Sequence, residues 1–233
     1  MPPELTILMP VYDESERIRQ ALDDVFGTDW PFPIELIVVD DGSTDGTRDF
    51  LRSYRWPEYA HLHLHEHNQG KGGAVRTALG HATGRFSVIF DADLEYKAGE
   101  LVPLVQPLRE GLANAAFGVR VFDGYTSHSF LYVMGNRFVT LAANVLFNVY
   151  LHDLMTCFKA IRTDIFRELR LRESGFTIEP EIAARLIQHG ERIYEVPISY
   201  RARSFEEGKK LTTRDGLRTI ATLLRCRLRP LRR

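Results

Sequence analysis

The first 120 residues alternate short apolar runs with stretches of helical spacing. Residues 5–10 (LTILMP), 34–40 (IELIVVD), 86–91 (FSVIFD) and 114–120 (NAAFGVR) are predicted strands. Between them, residues 15–26 (SERIRQALDDVF), 45–54 (DGTRDFLRSY) and 70–82 (GKGGAVRTALGHA) place apolar residues at helical intervals and begin near capping residues. This alternation predicts an α/β chain with a mainly parallel central sheet and helices on both faces. In such sheets ligands bind beyond the carboxyl ends of the strands. Three of those ends, PVYDE, DDGSTDGT and DADLE, carry acidic or turn chemistry and are expected to converge on one crevice. With no internal repeat, low-complexity run or clear linker, a single domain over 1–233 is expected.

Two other patterns stand out. Residues 61–67 (HLHLHEH) put His61, His63 and His65 on one face of a strand, which suits the polar face of an edge strand better than a metal site. Residues 130–151 (FLYVMGNRFVTLAANVLFNVYL) are apolar over nearly a membrane-spanning length. Asn136, Arg137, Thr140, Asn144 and Asn148 interrupt them in one narrow stripe. A spanning helix with this stripe would be costly. A helix lying in a membrane interface and a buried core helix both fit. The interfacial helix would offer Leu131, Met134, Phe138, Leu141, Val145 and Val149 along one side.

Composition is that of an ordinary soluble domain, with 44% hydrophobic and 26% charged residues. Cys157 and Cys226 lie far apart and lack metal-ligand spacing, so a reducing compartment is expected. The start of the chain lacks the features of a signal peptide. The net charge of −1 conceals a tail, residues 199–233, with a charge of +8. Such a tail suits phosphates or an anionic membrane. Phe205 is the one aromatic residue among its arginines, so nucleic acid is not an expected partner.

The chemistry gathers at the strand ends. Asp40 and Asp41 end one strand, followed by Gly42 for a tight turn and by Ser43 or Thr44 as a helix cap. The glycine-rich start of the 70–82 helix can turn backbone N–H groups toward a phosphate, although Walker spacing is absent. Residues 88–96 (VIFDADLEY) set Asp91, Asp93 and Glu95 at the end of the most hydrophobic strand. Like charges so close favour a cation, and hard oxygen ligands suit Mg²⁺ or Mn²⁺ with a substrate diphosphate.

Taken in order, MPVYDESERI, IVVDDGSTDGT, NQGKGGAVRTAL and VIFDADLEY resemble the family 2 glycosyltransferases of the GT-A fold. The later stretches MGNRF, DLMTCFKAIRTDIF, GFTIEPEIAARL and EVPISYRARSFEEGKKLTTRDGLRTI resemble the polyprenyl-phosphate sugar synthases, typified by dolichyl-phosphate mannosyltransferase. The resemblance implies a nucleotide-sugar-binding half, 1–120, and an acceptor- and membrane-facing half, 121–233, with interface-type helices. It implies that Pro10, Tyr12 and Glu14 hold the base and ribose, with Asp40, Asp41 and Lys71 near the nucleotide. It implies a metal at Asp91 and Asp93, with Glu95 beside them. Arg201, Arg203 and Lys209 would close over the diphosphate, Arg120 and Arg137 would take the acceptor phosphate, and Asp153 matches the family aspartate proposed as base. Asp93, Asp153 and Arg120 are thus the implied catalytic residues.

The implied activity is inverting transfer of mannose or glucose from GDP-mannose or UDP-glucose to a polyprenyl phosphate such as dolichyl or undecaprenyl phosphate. It would take place on the cytoplasmic face of a membrane, with the chain bound peripherally and a membrane-protein partner possible. Members with anchors continue into hydrophobic helices, and this chain resembles the type without them. Two alternatives remain: a family 2 enzyme with another sugar or lipid-linked acceptor, and a catalytically silent subunit that binds nucleotide or lipid.

Overall fold

The computed structural model describes residues 2–120, 130–201 and 213–231. Seven strands form one sheet: β1 (Leu5–Val11), β2 (Ile34–Asp40), β3 (Ala60–Leu64), β4 (Phe86–Ile89), β5 (Ala115–Arg120), β6 (Lys159–Arg162) and β7 (Ile193–Ile198). Their order is β3-β2-β1-β4-β6-β5-β7, and β6 alone runs against its neighbours. The helices are α1 (Ile18–Gly27), α2 (Thr47–Ser53), α3 (Lys71–His81), α4 (Leu101–Arg109), α5 (Phe130–Phe147), α6 (Thr163–Glu168), α7 (Ile178–His189) and α8 (Thr213–Leu228).

The strand period of two divides the core. Leu8, Ile37, Ile89, Ala115 and Phe117 face one side, where α3 and α5–α8 cover them. Ile7, Met9, Leu36, Val38 and Val88 face the other, under α1, α2 and α4. Burial on both faces explains why β1 and β2 read as continuous apolar runs rather than alternating ones. The expected strands and the three expected helices all form. β4 ends at Ile89, two residues before Asp91, so both acids of that motif lie in the following turn.

Three expectations are corrected. Neither Ser43 nor Thr44 caps α2. Its cap position is Gly46, in the left-handed region at φ 97°, and Asp45 accepts the Thr47 N–H at 3.0 Å. The three histidines do not act as one face: β3 stops at Leu64, and His65 turns inward to Asp41 and Thr77 while His63 stacks on His81. Among the described residues no three His, Cys, Asp or Glu side chains could share a metal ion.

The third correction concerns α5: Asn136, Thr140 and Asn144 of its polar stripe face inward, while Arg137 and Asn148 are exposed. Asn144 brackets Leu151, donating to its carbonyl and accepting its N–H, both at 2.9 Å. Buried Thr140 accepts the Leu154 N–H at 3.2 Å, and Asn136 donates to Asp153 Oδ1 at 3.0 Å. The stripe thereby holds the 148–154 loop against the domain. Val139, Ala143 and Phe147 join the core beside it, and Val149 packs there rather than on the outer side. The opposite side leaves Phe130, Met134, Phe138, Leu141 and Val145 exposed, Phe138 by 65% and Val145 by 73%. Among the described residues, no helix is long and apolar enough to cross a membrane.

Candidate active site

The carboxyl ends of β2, β1 and β4 lie side by side, and their loops are fastened to one another. Asp13, held in the left-handed region at φ 51°, donates its N–H to Ser43 Oγ at 3.0 Å and accepts the Thr44 N–H at 2.8 Å. Glu14 N–H donates to Thr47 Oγ1, and Ser15 N–H to Asp45 Oδ2, both at 2.9 Å. A non-glycine residue in that region is strained, and four cross-loop hydrogen bonds hold it there. Hydrogen bonds from Thr47 and Ser15 bring the Asp45 carboxyl down to about 2, against the opposing effect of its partial burial. Tyr12, next to Asp13, leaves its ring partly exposed at the crevice, while Pro10 lies within β1 and Glu14 is buried.

The two acids that end β2 serve the protein itself. Asp40 accepts Arg48 Nε at 2.6 Å and the Ser43 N–H at 3.3 Å. Asp41 accepts from three donors: His65 Nδ1 at 2.7 Å, Gln69 N–H at 2.9 Å and Gly70 N–H at 2.7 Å. Because a carboxylate only accepts, His65 Nδ1 carries the proton. The phosphate cradle expected at the start of α3 is therefore filled by protein. Gln69 and Gly70 donate to Asp41, and Gly72 donates to the Ser174 carbonyl at 2.7 Å. The glycines serve this close contact, since a Cβ on Gly70 would lie 2.3 Å from the Ser174 oxygen and one on Gly72 2.1 Å from that of Glu173.

The turn after β4 differs. Asp91 is buried, and Lys71 donates to its Oδ2 at 2.7 Å, but Oδ1 is buried with no hydrogen-bond partner. Such a group is costly unless a ligand answers it. Asp93 accepts the Glu95 N–H at 3.1 Å, across a turn in which Leu94 adopts φ 63°. Glu95 points toward the β7 side: its Oε2 accepts the Tyr200 hydroxyl at 3.0 Å, and its carbonyl accepts the Arg201 N–H at 3.0 Å. Asp91, whose unanswered oxygen is a hard ligand, fits a divalent cation that a substrate diphosphate would help to hold, and Asp93 lies in the same turn, while Glu95 is turned away.

Lys71 is also 2.8 Å from Glu179, whose other oxygen accepts Lys159 at 2.7 Å. Burial pulls the Lys71 ammonium down, but Asp91, Cys157 and Glu179 hold it well above the ordinary lysine value. Burial pushes the Cys157 thiol well up, so it stays protonated beside Lys71.

Arg120 at the end of β5 grips Asp153 with two hydrogen bonds, Nε to Oδ2 at 2.6 Å and Nη2 to Oδ1 at 2.8 Å. Its guanidinium lies over the Tyr200 ring. Asp153 is buried, which favours its neutral form, yet Arg120 and Asn136 hold its carboxyl below the ordinary range. Tyr200 thus links Glu95, next to the β4 acids, with Arg120 and Asp153. Arg137 is exposed on the outer side of α5, away from the stripe that holds Asp153. Arg201 is exposed beyond β7, and Arg203 and Lys209 lie outside the described residues.

Glu179, Lys159, Tyr200, Arg48 and Asp45 were not singled out by sequence. A signal existed for one of them: Lys159 stands in an apolar strand run, CFKAI. Charges at such positions are buried only when paired.

The family model for glycosyl transferase family 2 matches residues 6–170. Glycosyltransferase AglJ of Haloferax volcanii is 30% identical over 201 residues, 85% of this chain and 63% of AglJ. Dodecaprenyl-phosphate galacturonate synthase of Rhizobium johnstonii is 26% identical over 225 residues, 95% of this chain and 65% of the synthase. The chain therefore spans less than two thirds of either relative. A crystal structure of glucosyl-3-phosphoglycerate synthase from Mycobacterium tuberculosis with UDP superposes with a TM-score of 0.74 at 22% identity, over 98% of this chain and 81% of that one. Its complex with Mn²⁺, UDP and glucosyl-3-phosphoglycerate gives a TM-score of 0.71 at 20% identity, over 96% of this chain and 79% of that one. The mostly parallel seven-stranded sheet is that of the GT-A fold, and the chain belongs to glycosyl transferase family 2.

Proposed function

We propose that the protein transfers a hexose from a nucleotide-diphosphate sugar to a polyprenyl phosphate at a membrane surface, inverting the anomeric centre. The observation that carries the acceptor is the two-sided α5. Its inner side positions Asp153, and through it Arg120. Its outer side exposes Phe130, Met134, Phe138, Leu141 and Val145. An apolar face on the helix whose inner side holds the Arg120–Asp153 pair suits a lipid phosphate whose tail stays in the bilayer, with Arg120 to meet the phosphate. The likeness to a dodecaprenyl-phosphate galacturonate synthase supports the same acceptor class. Arg137 on that outer face, with Arg218, Arg225 and Arg227 on α8, would meet anionic headgroups. The cytoplasmic membrane face is the side on which nucleotide sugars are available to such a site.

In this reading Tyr12 and the loops clasped around Asp13 hold the nucleotide, and Asp91 and Asp93 hold Mg²⁺ or Mn²⁺. A bound cation there supplies positive charge to the departing diphosphate. Arg201, Arg203 and Lys209 would add theirs. The acceptor phosphate is already anionic at neutral pH, so it needs positioning more than deprotonation. Asp153, held ionised in its pair with Arg120, orients the guanidinium rather than taking a proton. GDP-mannose and UDP-glucose are the donors to try first.

The test supplies each labelled donor, Mn²⁺, and undecaprenyl or dolichyl phosphate in vesicles, and extracts product into organic solvent. Label in the organic phase is expected, and exchanging Phe138 and Leu141 for serine should reduce it without unfolding the chain. Label transferred only to a water-soluble acceptor would replace the lipid acceptor with another, and no transfer from any donor would favour a silent subunit.

A further inference from the structure

Two buried carboxylate oxygens beside Lys71 accept no hydrogen bond, Asp91 Oδ1 and Glu179 Oε1. They flank the same ammonium. Lys71 Nζ lies 2.7 Å from Asp91 Oδ2 and 2.8 Å from Glu179 Oε1. Its hydrogen bonds go to Asp91 Oδ2 and to Cys157 Sγ. Glu179 Oε1 thus stands at ion-pair distance without a hydrogen bond, in the position of a second acceptor. The other oxygen of Glu179 is fixed by Lys159, which is wholly buried and also donates to the Thr156 carbonyl. Asp91, Lys71, Glu179 and Lys159 form a row of alternating sign, neutral within itself.

We propose that Glu179 is a positioning residue that takes over Lys71 when Asp91 engages a divalent cation. This rests on the reading of Asp91 as a cation ligand. An ammonium that keeps its hydrogen bond to Oδ2 competes with a cation for the same carboxylate. An ammonium that leaves Asp91 with nowhere to go is a nearly buried charge without a partner, which is costly. Glu179 removes that dilemma, because Lys71 need only redirect one N–H across a distance already within reach. Asp91 then presents both oxygens, and Lys71 and Lys159 each keep one oxygen of Glu179, with the diphosphate to balance the charge left over. Lys159 keeps Glu179 in place for the exchange. The same motion leaves Lys71 beside the diphosphate, with its charge undiminished.

The probe is Mn²⁺, titrated by electron paramagnetic resonance into the full chain with saturating UDP and, separately, GDP. Glu179→Gln removes the negative charge that would receive the Lys71 ammonium. Because that change strands Lys159, the double variant Glu179→Gln with Lys159→Met keeps the row neutral and guards against misfolding. Both should weaken Mn²⁺ binding roughly tenfold. In a Lys71→Met background, where no ammonium needs rehousing, adding Glu179→Gln should change Mn²⁺ affinity by less than about twofold. Undiminished Mn²⁺ affinity in the double variant, or the same tenfold loss in the Lys71→Met background, would overturn the hand-over while leaving the cation site standing. Failure of the unaltered chain to bind Mn²⁺ with either nucleotide would overturn the cation reading itself, and the hand-over with it.

Discussion

β2 and β4 both deliver a pair of acids to the same crevice, and the structure treats the pairs in opposite ways. Asp40 and Asp41 are answered by Arg48, His65 and three backbone N–H groups, and they fasten the glycine-rich loop to the sheet. Asp91 has one oxygen on Lys71 and the other buried and unanswered. In the sequence the two clusters look alike, each a run of carboxylates after an apolar strand. What separates them is the supply of donors around them. The first cluster is followed within the chain by enough N–H groups to satisfy it. The second sits in the loop after β4, where Lys71 answers one oxygen of Asp91 and leaves the other without a donor. An acid cluster is therefore a ligand site only to the extent that its own fold leaves it unsatisfied.

The sharpest way to break this comparison is to remove an acid from each pair. Asp93→Ala should lower sugar transfer by about 10³-fold, equivalent to about 4 kcal/mol at the barrier, with little change in melting temperature. A variant that stays active in the presence of a chelator would remove the second pair from the chemistry. Asp41→Ala should do the reverse. It leaves His65 Nδ1 and the Gln69 N–H without an acceptor, while the Gly70 N–H keeps Asn68 Oδ1, at about 3 kcal/mol of stability measured by denaturant unfolding. A stable Asp41→Ala chain that has lost only nucleotide affinity would move the first pair into the ligand site.

The smallest effect concerns the clasp beside Asp40 and Asp41. Hydrogen bonds to the Asp45 carboxylate lower its pKa from the ordinary 3.8 to about 2. A lowered folded-state value means that the clasp is fully held above about pH 4 and loosens as the pH falls through 2. Carboxyl carbon resonances followed by NMR should place the Asp45 midpoint near 2. A midpoint near 3.8 would show that the loops of β1 and β2 are not joined as described.

Much of the fold was legible in the sequence because the parallel strands are apolar on both faces and their helices begin near turn residues. β6 was not legible. It is four residues long, carries Lys159 at its start, and runs antiparallel between distant partners. Nor was α4, where Pro103 and Pro107 interrupt the helical pattern, or α7, whose Glu179 and Glu181 suggest an exposed surface. Those glutamates are buried because a lysine from β6, the lysine at the start of α3 and the backbone of residues 172–173 reach them, contacts that no local pattern records. The polar stripe of α5 was visible, but its direction was not. Asn136, Thr140 and Asn144 face inward because the 148–154 loop brings its own polar backbone to meet them. That inversion is what leaves the apolar side of α5 in the open.

The most direct test of the central claim is anomalous diffraction from crystals soaked with Mn²⁺ and a nucleoside diphosphate. One peak is expected within coordination distance of Asp91 or Asp93, with none at Asp40 or Asp41. A peak on the β2 acids, or a fully occupied nucleotide with no metal near Asp91 and Asp93, would contradict it.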